Sequence, residues 1–372
     1  MNILYLTNTR FAAAPYRDAS TRYRCYNYAE ALRGVRHVVD VGVIDVIDPA
    51  IVERYDIVIV LRPTMDRRLN SIANTCKSGN ITLIADFDDL IFDPELAEAS
   101  PVVKNAQATP ELVEAQFKRS LDCLPLFDRF IVSTTELAKH LGRVVPDAEV
   151  LHLPNALSNF WMSYSKHLLL EDPTARLIKA NGTLSGDITY LPGTRSHDHD
   201  FAEVQNYLAE SVNSQSNCRV KIIGALEVDE SLFNQGKLHR GTWKDFYELP
   251  QEIAGSWLTI APLADSVFNR CKSHIKFIES AAFGTPHISS PLPDLDQHFV
   301  EGPDIVTDAD GWQKAIEQYK DEEFYRHNGE RLKKYAAQKC TADVFLPSLI
   351  EFLTKSNVDS NHEYSAALPQ NN

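Results

Sequence analysis

Four groups of residues in this sequence could do chemistry. The first is the segment Gly193-Thr194-Arg195-Ser196-His197-Asp198, directly after the apolar run Ile188–Leu191. A Gly-Thr turn at a helix start can bring backbone N–H groups up to a phosphate, and Arg195 adds a bidentate cation. A simple turn capped by an aspartate is the alternative. Gly193, Thr194, Arg195 and His197 are therefore candidate phosphate-binding residues, joined by Gly224 after the run Arg219–Ile223.

The second group follows the run Leu258–Pro262 and comprises Asn269, Lys272, Ser273, Lys276 and Glu279. If the helix predicted over Ile275–Phe283 starts early enough, Lys272, Lys276 and Glu279 share a face, at spacings of four and three. Two ammonium groups and a hydroxyl near a helix start would neutralise a diphosphate. A glutamate one turn further in could accept hydrogen bonds from ribose hydroxyls. An exposed Lys-to-Glu ladder is the bland reading of the same residues.

The third group, Asp86-Phe87-Asp88-Asp89, ends the run Ile81–Ala85. Carboxylates there would face an interdomain cleft and bind sugar hydroxyls or act as a base. Sugar or acceptor contact ranks above a divalent metal site, and a loop turn is the plain alternative. Asp88 and Asp89 are the catalytic candidates. The fourth group is a set of arginines, Arg10, Arg17, Arg22 and Arg24, in and after the first strand's loop. They could meet an anionic acceptor, donor phosphates or a membrane surface, or be solvated loop charges; Arg22 and Arg24 are the acceptor-binding candidates.

The elements that must position these residues are two sets of alternating strands and helices. Ile3–Thr7, His37–Val43, Asp56–Leu61, Ile81–Ala85, Arg129–Ser133 and Glu149–Leu153 read as strands of the first half, with helices such as Thr21–Leu32 and Pro110–Leu121 between them. Ile188–Leu191, Arg219–Ile223, Leu258–Pro262, His287–Ser290 and Asp304–Val306 repeat the pattern, with helices at Asp200–Ser211, Trp243–Ile253 and Ile275–Phe283. Nearly continuous apolar strands alternating with helices predict doubly wound parallel sheets. A mainly helical stretch from about Asp310 to Leu353, broken near Pro347, follows, and residues 356–372 read as a disordered tail. In such sheets ligands collect at the carboxyl ends of the strands, where all four groups lie.

Bulk composition narrows the function. With 372 residues, two domains are the default. A net charge of −14 argues against nucleic acid as a partner. Six scattered cysteines include no C-x-x-C pair, which indicates neither a zinc knuckle nor a redox motif. The N-terminus lacks a signal-peptide pattern and no apolar run approaches the roughly 20 residues of a membrane span, so a cytoplasmic location is expected. No G-x-G-x-x-G follows the first strand, which disfavours a Rossmann dehydrogenase.

Taken together, the ordered pair Tyr190-x-Pro192-Gly193-Thr194-x-Ser196-His197-Asp198 and Asn269-x-x-Lys272-Ser273-x-x-Lys276-x-x-Glu279, then Gly284-x-Pro286, resembles GT-B glycosyltransferases. The likeness is to glycosyltransferase family 4 and related bacterial polysaccharide enzymes, and is strongest over about residues 185–300. It implies an α/β GT-B architecture of two Rossmann-like domains facing across a cleft. Residues 1–157 would form the acceptor-side domain and 158–340 the nucleotide-sugar-binding domain, with a helix at 341–355 packing back on the first. It also implies a retaining, metal-free transfer from a nucleotide-diphosphate sugar to a saccharide or lipid-linked saccharide, with no further cofactor and possible peripheral contact with the inner face of the membrane. In this resemblance Lys276 and Arg195 hold the diphosphate and Glu279 the ribose. Two departures stand out. The family's first glutamate falls on Cys271, and Asp88 and Asp89 stand where a His-Asp pair is usual. Hence a non-catalytic nucleotide-sugar-binding protein, or a GT-B-like epimerase, is the alternative.

Overall fold

The computed structural model describes residues 1–168, 177–180, 183–193, 195–298 and 304–355. Thr194 and the segment 356–372, expected to be a disordered tail, lie outside the described residues.

Two six-stranded parallel sheets carry the chain. The first contains β1 (Asn2–Thr7), β2 (Val38–Val43), β3 (Ile57–Leu61), β4 (Thr82–Phe87), β5 (Arg129–Val132) and β6 (Glu149–His152), in the order β2-β1-β3-β4-β5-β6. All five residues of β3 are buried, because helices cover both faces and both pleats must be apolar. A short antiparallel hairpin, β7 (Ile178–Ala180) with β8 (Thr183–Ser185), leads into the second sheet. That sheet holds β9 (Asp187–Gly193), β10 (Arg219–Gly224), β11 (Leu238–Gly241), β12 (Leu258–Ala261), β13 (His287–Ser289) and β14 (Asp304–Ile305), ordered β11-β10-β9-β12-β13-β14. Each sheet reverses its winding once, between β1 and β3 in the first and between β9 and β12 in the second. Those reversals open the crevices in which ligands of such sheets bind.

Several sequence expectations shift. The fourth strand runs on through Phe87, which draws Asp86 into the sheet. The expected helix at Thr21–Leu32 contains a π-helical turn at Arg22–Tyr26. Trp243 lies in a loop, since only Leu249–Ala254 of its predicted helix forms. Pro347 does not end the last helix; Ala342–Thr354 runs through it, and the breaks fall at Tyr319–Asp321 and Cys340–Thr341 instead. A proline inside a helix deletes one hydrogen bond, which burial of Leu346, Leu349, Phe352 and Leu353 against the first sheet outweighs.

Packing joins the two halves. Leu157 pairs with the strand-like bridge at Thr341, donating its N–H to the Cys340 carbonyl at 2.7 Å. A mixed cluster buries Tyr23 and Trp161 against Phe246, Phe277 and Phe283. The helix Ile275–Phe283 stops at Gly284, whose φ of 66° needs no side chain there; a Cβ would also sit 2.8 Å from the Gly329 carbonyl.

Candidate active site

The two crevices face each other and merge into one cleft of about 410 Å³. Arg10 after β1 and Arg62 after β3 line it from the first half; Leu191 to Gly193, Lys276 and Glu279 line it from the second.

On the second sheet, the ends of β9 and β10 come close because both are glycines. Gly193 has φ 76° and Gly224 has φ 124°, and a Cβ on Gly224 would contact the Gly193 backbone at 3.5 Å. His197 follows, buried, with Nδ1 2.7 Å from an Asp200 oxygen. Burial and the nearby Lys276 push its pKa down to about 4, so the ring is neutral at pH 7. The other Asp200 oxygen accepts from the Ala264 N–H at 3.0 Å and the Asn269 amide at 2.7 Å. Asp200 therefore ties the loop after β9 to the loop after β12. Asn269 also lines a second cavity, of about 730 Å³, bounded by the segments after β12, β13 and β14.

The helix Ile275–Phe283 begins too late to include Lys272, which sits in the turn before it. Lys272, Ser273 and Lys276 still converge on one small recess. Burial and then the Lys272 charge hold Lys276 below the ordinary lysine range, a repulsion that an anion bound between them would relieve. Ser273 accepts a hydrogen bond from the Asn155 amide of the first half at 2.7 Å. Glu279 is 8% exposed, and the Tyr23 hydroxyl donates to it at 2.5 Å. Burial pushes its pKa up to about 7.

Arg195 is set differently from the expectation. Its guanidinium binds Asp198 at 2.9 Å and Glu227 at 2.5 Å, is half exposed, and does not line the cleft.

In the first half, Arg62 closes on the aspartate pair. Its Nε binds Asp88, and its Nη2 lies 3.7 Å from Asp89. Burial alone would raise Asp88, but Arg62 overrides it and holds the carboxyl below the ordinary range. Asp89 is the more open of the two, at 30% exposure. Arg62, with φ 48°, was missed from sequence, although it directly follows a strand end.

Arg22 and Arg24 do not face an acceptor space. Arg22 is buried, bound to Glu30 at 2.7 Å and laid over the Phe246 ring at 4.2 Å. Arg24 has no exposure at all and pairs with Asp86 at 2.8 Å, while Nη1 donates to the Leu153 carbonyl at 2.6 Å. A charge this deep must be matched where it lies, which leaves none for a ligand. Cys271 packs into the first half's core beside Phe268, and burial raises its thiol to about 12.

Residues 205–343 match the family model described as glycosyl transferase-like. No curated protein matches the sequence. In fold the chain is similar to HepE of Anabaena in complex with UDP, at 12% identity over 95% of this chain and 99% of that one, with TM-score 0.58. Sucrose-phosphate synthase from Thermosynechococcus elongatus is similar at 13% identity, over 95% and 99%, TM-score 0.55. An alpha-glucosyltransferase in complex with UDP reaches TM-score 0.66 at 10% identity, over 95% and 100%. The chain thus has the GT-B fold along nearly its whole length and carries a glycosyl transferase-like domain over residues 205–343.

Proposed function

We propose that this protein is a retaining glycosyltransferase that moves a hexosyl group from UDP-hexose to a saccharide or lipid-linked saccharide in bacterial surface polysaccharide synthesis. The observation that carries the reading is the convergence of Lys272, Ser273, Lys276 and Glu279 at the mouth of the second sheet's crevice. HepE and the alpha-glucosyltransferase, similar in fold, were both solved with UDP.

In this reading the lysines and the helix start at Ile275 take the diphosphate. Glu279 accepts from the ribose hydroxyls. As the bond from the anomeric carbon to phosphate breaks, charge grows on the leaving oxygen, and preorganised cations stabilise that growth more than they stabilise the ground state. The leaving phosphate then takes the acceptor proton, so no covalent protein nucleophile is required. Asp89 orients the acceptor hydroxyl. No metal is assigned, because the Arg62 guanidinium already fills the cation position between Asp88 and Asp89.

A thermal-shift screen of UDP, GDP, ADP and their sugars tests the donor site. A large response to UDP that disappears in Lys276→Ala supports it, and no response to any diphosphate sinks it. The buried Cys271 where the family has a glutamate favours the second reading, a non-catalytic nucleotide-sugar-binding protein. Release of UDP only when acceptor extract is present decides for transfer; tight binding without turnover decides for the second reading.

A further inference from the structure

We propose that the part of the cleft lined by Arg10, Phe11, Arg17 and Trp243 is a subsite for an anionic saccharide, held against the exposed aromatic surface by two arginines. The claim rests on the transferase reading only in naming that saccharide as the acceptor; its binding stands by itself.

Charge points there first. The chain has 37 lysines and arginines against 51 acids, yet the cleft lining holds five cations to two carboxylates. Arg62 is paired with Asp88 and Asp89 and Lys244 with Glu248 and Glu252, which leaves Arg10, Arg17 and Lys276. Of the two carboxylates, Glu279 is held by Tyr23, and Asp18 is engaged by the Thr9 hydroxyl and the Thr21 N–H. Arg10 and Arg17 are exposed and make no ion pair among the described residues. They lie instead over aromatic rings, Arg10 4.9 Å from the centre of Phe11 and Arg17 5.5 Å from that of Trp243. Guanidinium groups left without a carboxylate in so acidic a protein are poised to receive an anion.

Shape points to a sugar. Phe11 from the first half and Trp243 from the second are stacked on one another at 6.3 Å and 20°, and both line the cleft that also holds Lys276 and Glu279. Trp243 is 41% exposed, and Tyr16 and Tyr247, also exposed, pack edge to face with each other at 6.0 Å. A pyranose presents a C–H face that packs on such rings and an edge of hydroxyls that stays solvated. A carboxylate or phosphate on the ring then reaches the arginines. A lipid surface would require the aromatics on a projecting face, whereas here Phe11 and Trp243 line a concavity.

Intrinsic fluorescence reads this subsite directly. Trp161 and Trp257 have no exposure and Trp312 has 2%, so Trp243, at 41%, is the one substantially exposed tryptophan of four. The full chain, without nucleotide, is titrated with tetrasaccharides of hyaluronan, heparosan and polygalacturonate, and with neutral maltotetraose. Saturable quenching by at least one uronate tetrasaccharide, at least tenfold tighter than maltotetraose and weakened by salt, is expected. Calorimetry on Arg17→Gln should show that affinity reduced about tenfold with UDP affinity within twofold of the parent. Three results overturn the proposal: equal binding of neutral and anionic sugars, quenching only by phosphatidylglycerol vesicles, or no saturable quenching by any of the saccharides while UDP still binds. Loss of UDP binding in the parent chain is a separate failure, that of the donor site.

Discussion

Replacing Asp86 by alanine would leave a guanidinium without a counter-ion inside the first half. Arg24 has no solvent exposure, and three of its hydrogen bonds end on that carboxylate: Nε to both oxygens at 3.1 Å and Nη2 to Oδ1 at 2.8 Å. Only the neutral Leu153 carbonyl at 2.6 Å and Asn155 at 3.3 Å remain. Removing one member of a buried ion pair costs about 3–5 kcal/mol, and the two surviving acceptors place this case near 3. For a unit of this size that lowers the melting temperature by roughly 6–12 °C. Urea and thermal melts of Asp86→Ala measure the loss. The paired variant Arg24→Met with Asp86→Leu, which removes both charges, should recover to within about 1 kcal/mol of the parent and keep UDP affinity. A loss below about 1 kcal/mol in Asp86→Ala would refute the argument for a buried keystone. So would a double variant that melts like the parent and binds UDP but no longer transfers, since Arg24 would then act on substrate.

Three further outcomes follow from the same site. Lys276→Ala removes one charge-assisted contact to the diphosphate and should weaken UDP by about 10- to 100-fold in calorimetry, with the melting temperature of the free protein little changed. Glu279 keeps its proton up to about pH 7 in the fold against an ordinary value of 4.5. The folded chain therefore binds that proton more tightly than the unfolded one; the contribution is complete below about pH 4.5 and is lost, by roughly 3 kcal/mol, as pH rises through 7. Urea melts from pH 5 to 8 should show this slope in the parent and its absence in Glu279→Gln, while UDP binding, which uses the carboxylate, tightens over the same interval. Gly224→Ala forces a side chain onto a backbone with φ of 124° and should cost about 1 kcal/mol or more, read as a lower urea midpoint with an unchanged slope.

The sheets were legible in the sequence because a strand buried on both faces has to be apolar without interruption, and runs such as Ile57–Leu61 declare it. β11 escaped notice for the converse reason. It is an edge strand reading Leu-His-Arg-Gly, and neither face needs to be apolar. The clustering of Lys272, Ser273, Lys276 and Glu279 was legible too, because all four follow one strand end at short spacing, and the structure gathers them about two recesses that share Lys276. Arg22 and Arg24 misled, since residue type alone carries no information about what neutralises it. Arg24 looks like free positive charge until β4 is seen to extend far enough to bring Asp86 beneath it. Tyr23 gave no signal at all. Its partner Glu279 lies 256 residues away, and only the packing of one half on the other brings them together.

That cross-half contact bears on how donor and acceptor would meet. Three polar bridges span the halves beside the cleft: Tyr23 to Glu279, Asn155 to Ser273 at 2.7 Å, and Thr134 to the Cys271 carbonyl at 3.0 Å. Each ends within the segment 271–279 that also holds Lys272 and Lys276, so the proposed diphosphate site is braced by the opposite half of the molecule. Cys271 thereby gains a physical account. Its side chain packs into the first half's core beside Phe268, where burying a glutamate carboxylate would cost several kcal/mol without a partner. An apolar thiol fits that interface. Placing a carboxylate there with Cys271→Glu should therefore loosen the contact between the halves, which small-angle scattering would register as a larger radius of gyration. An unchanged radius together with gained turnover would mean instead that the position faces the donor sugar.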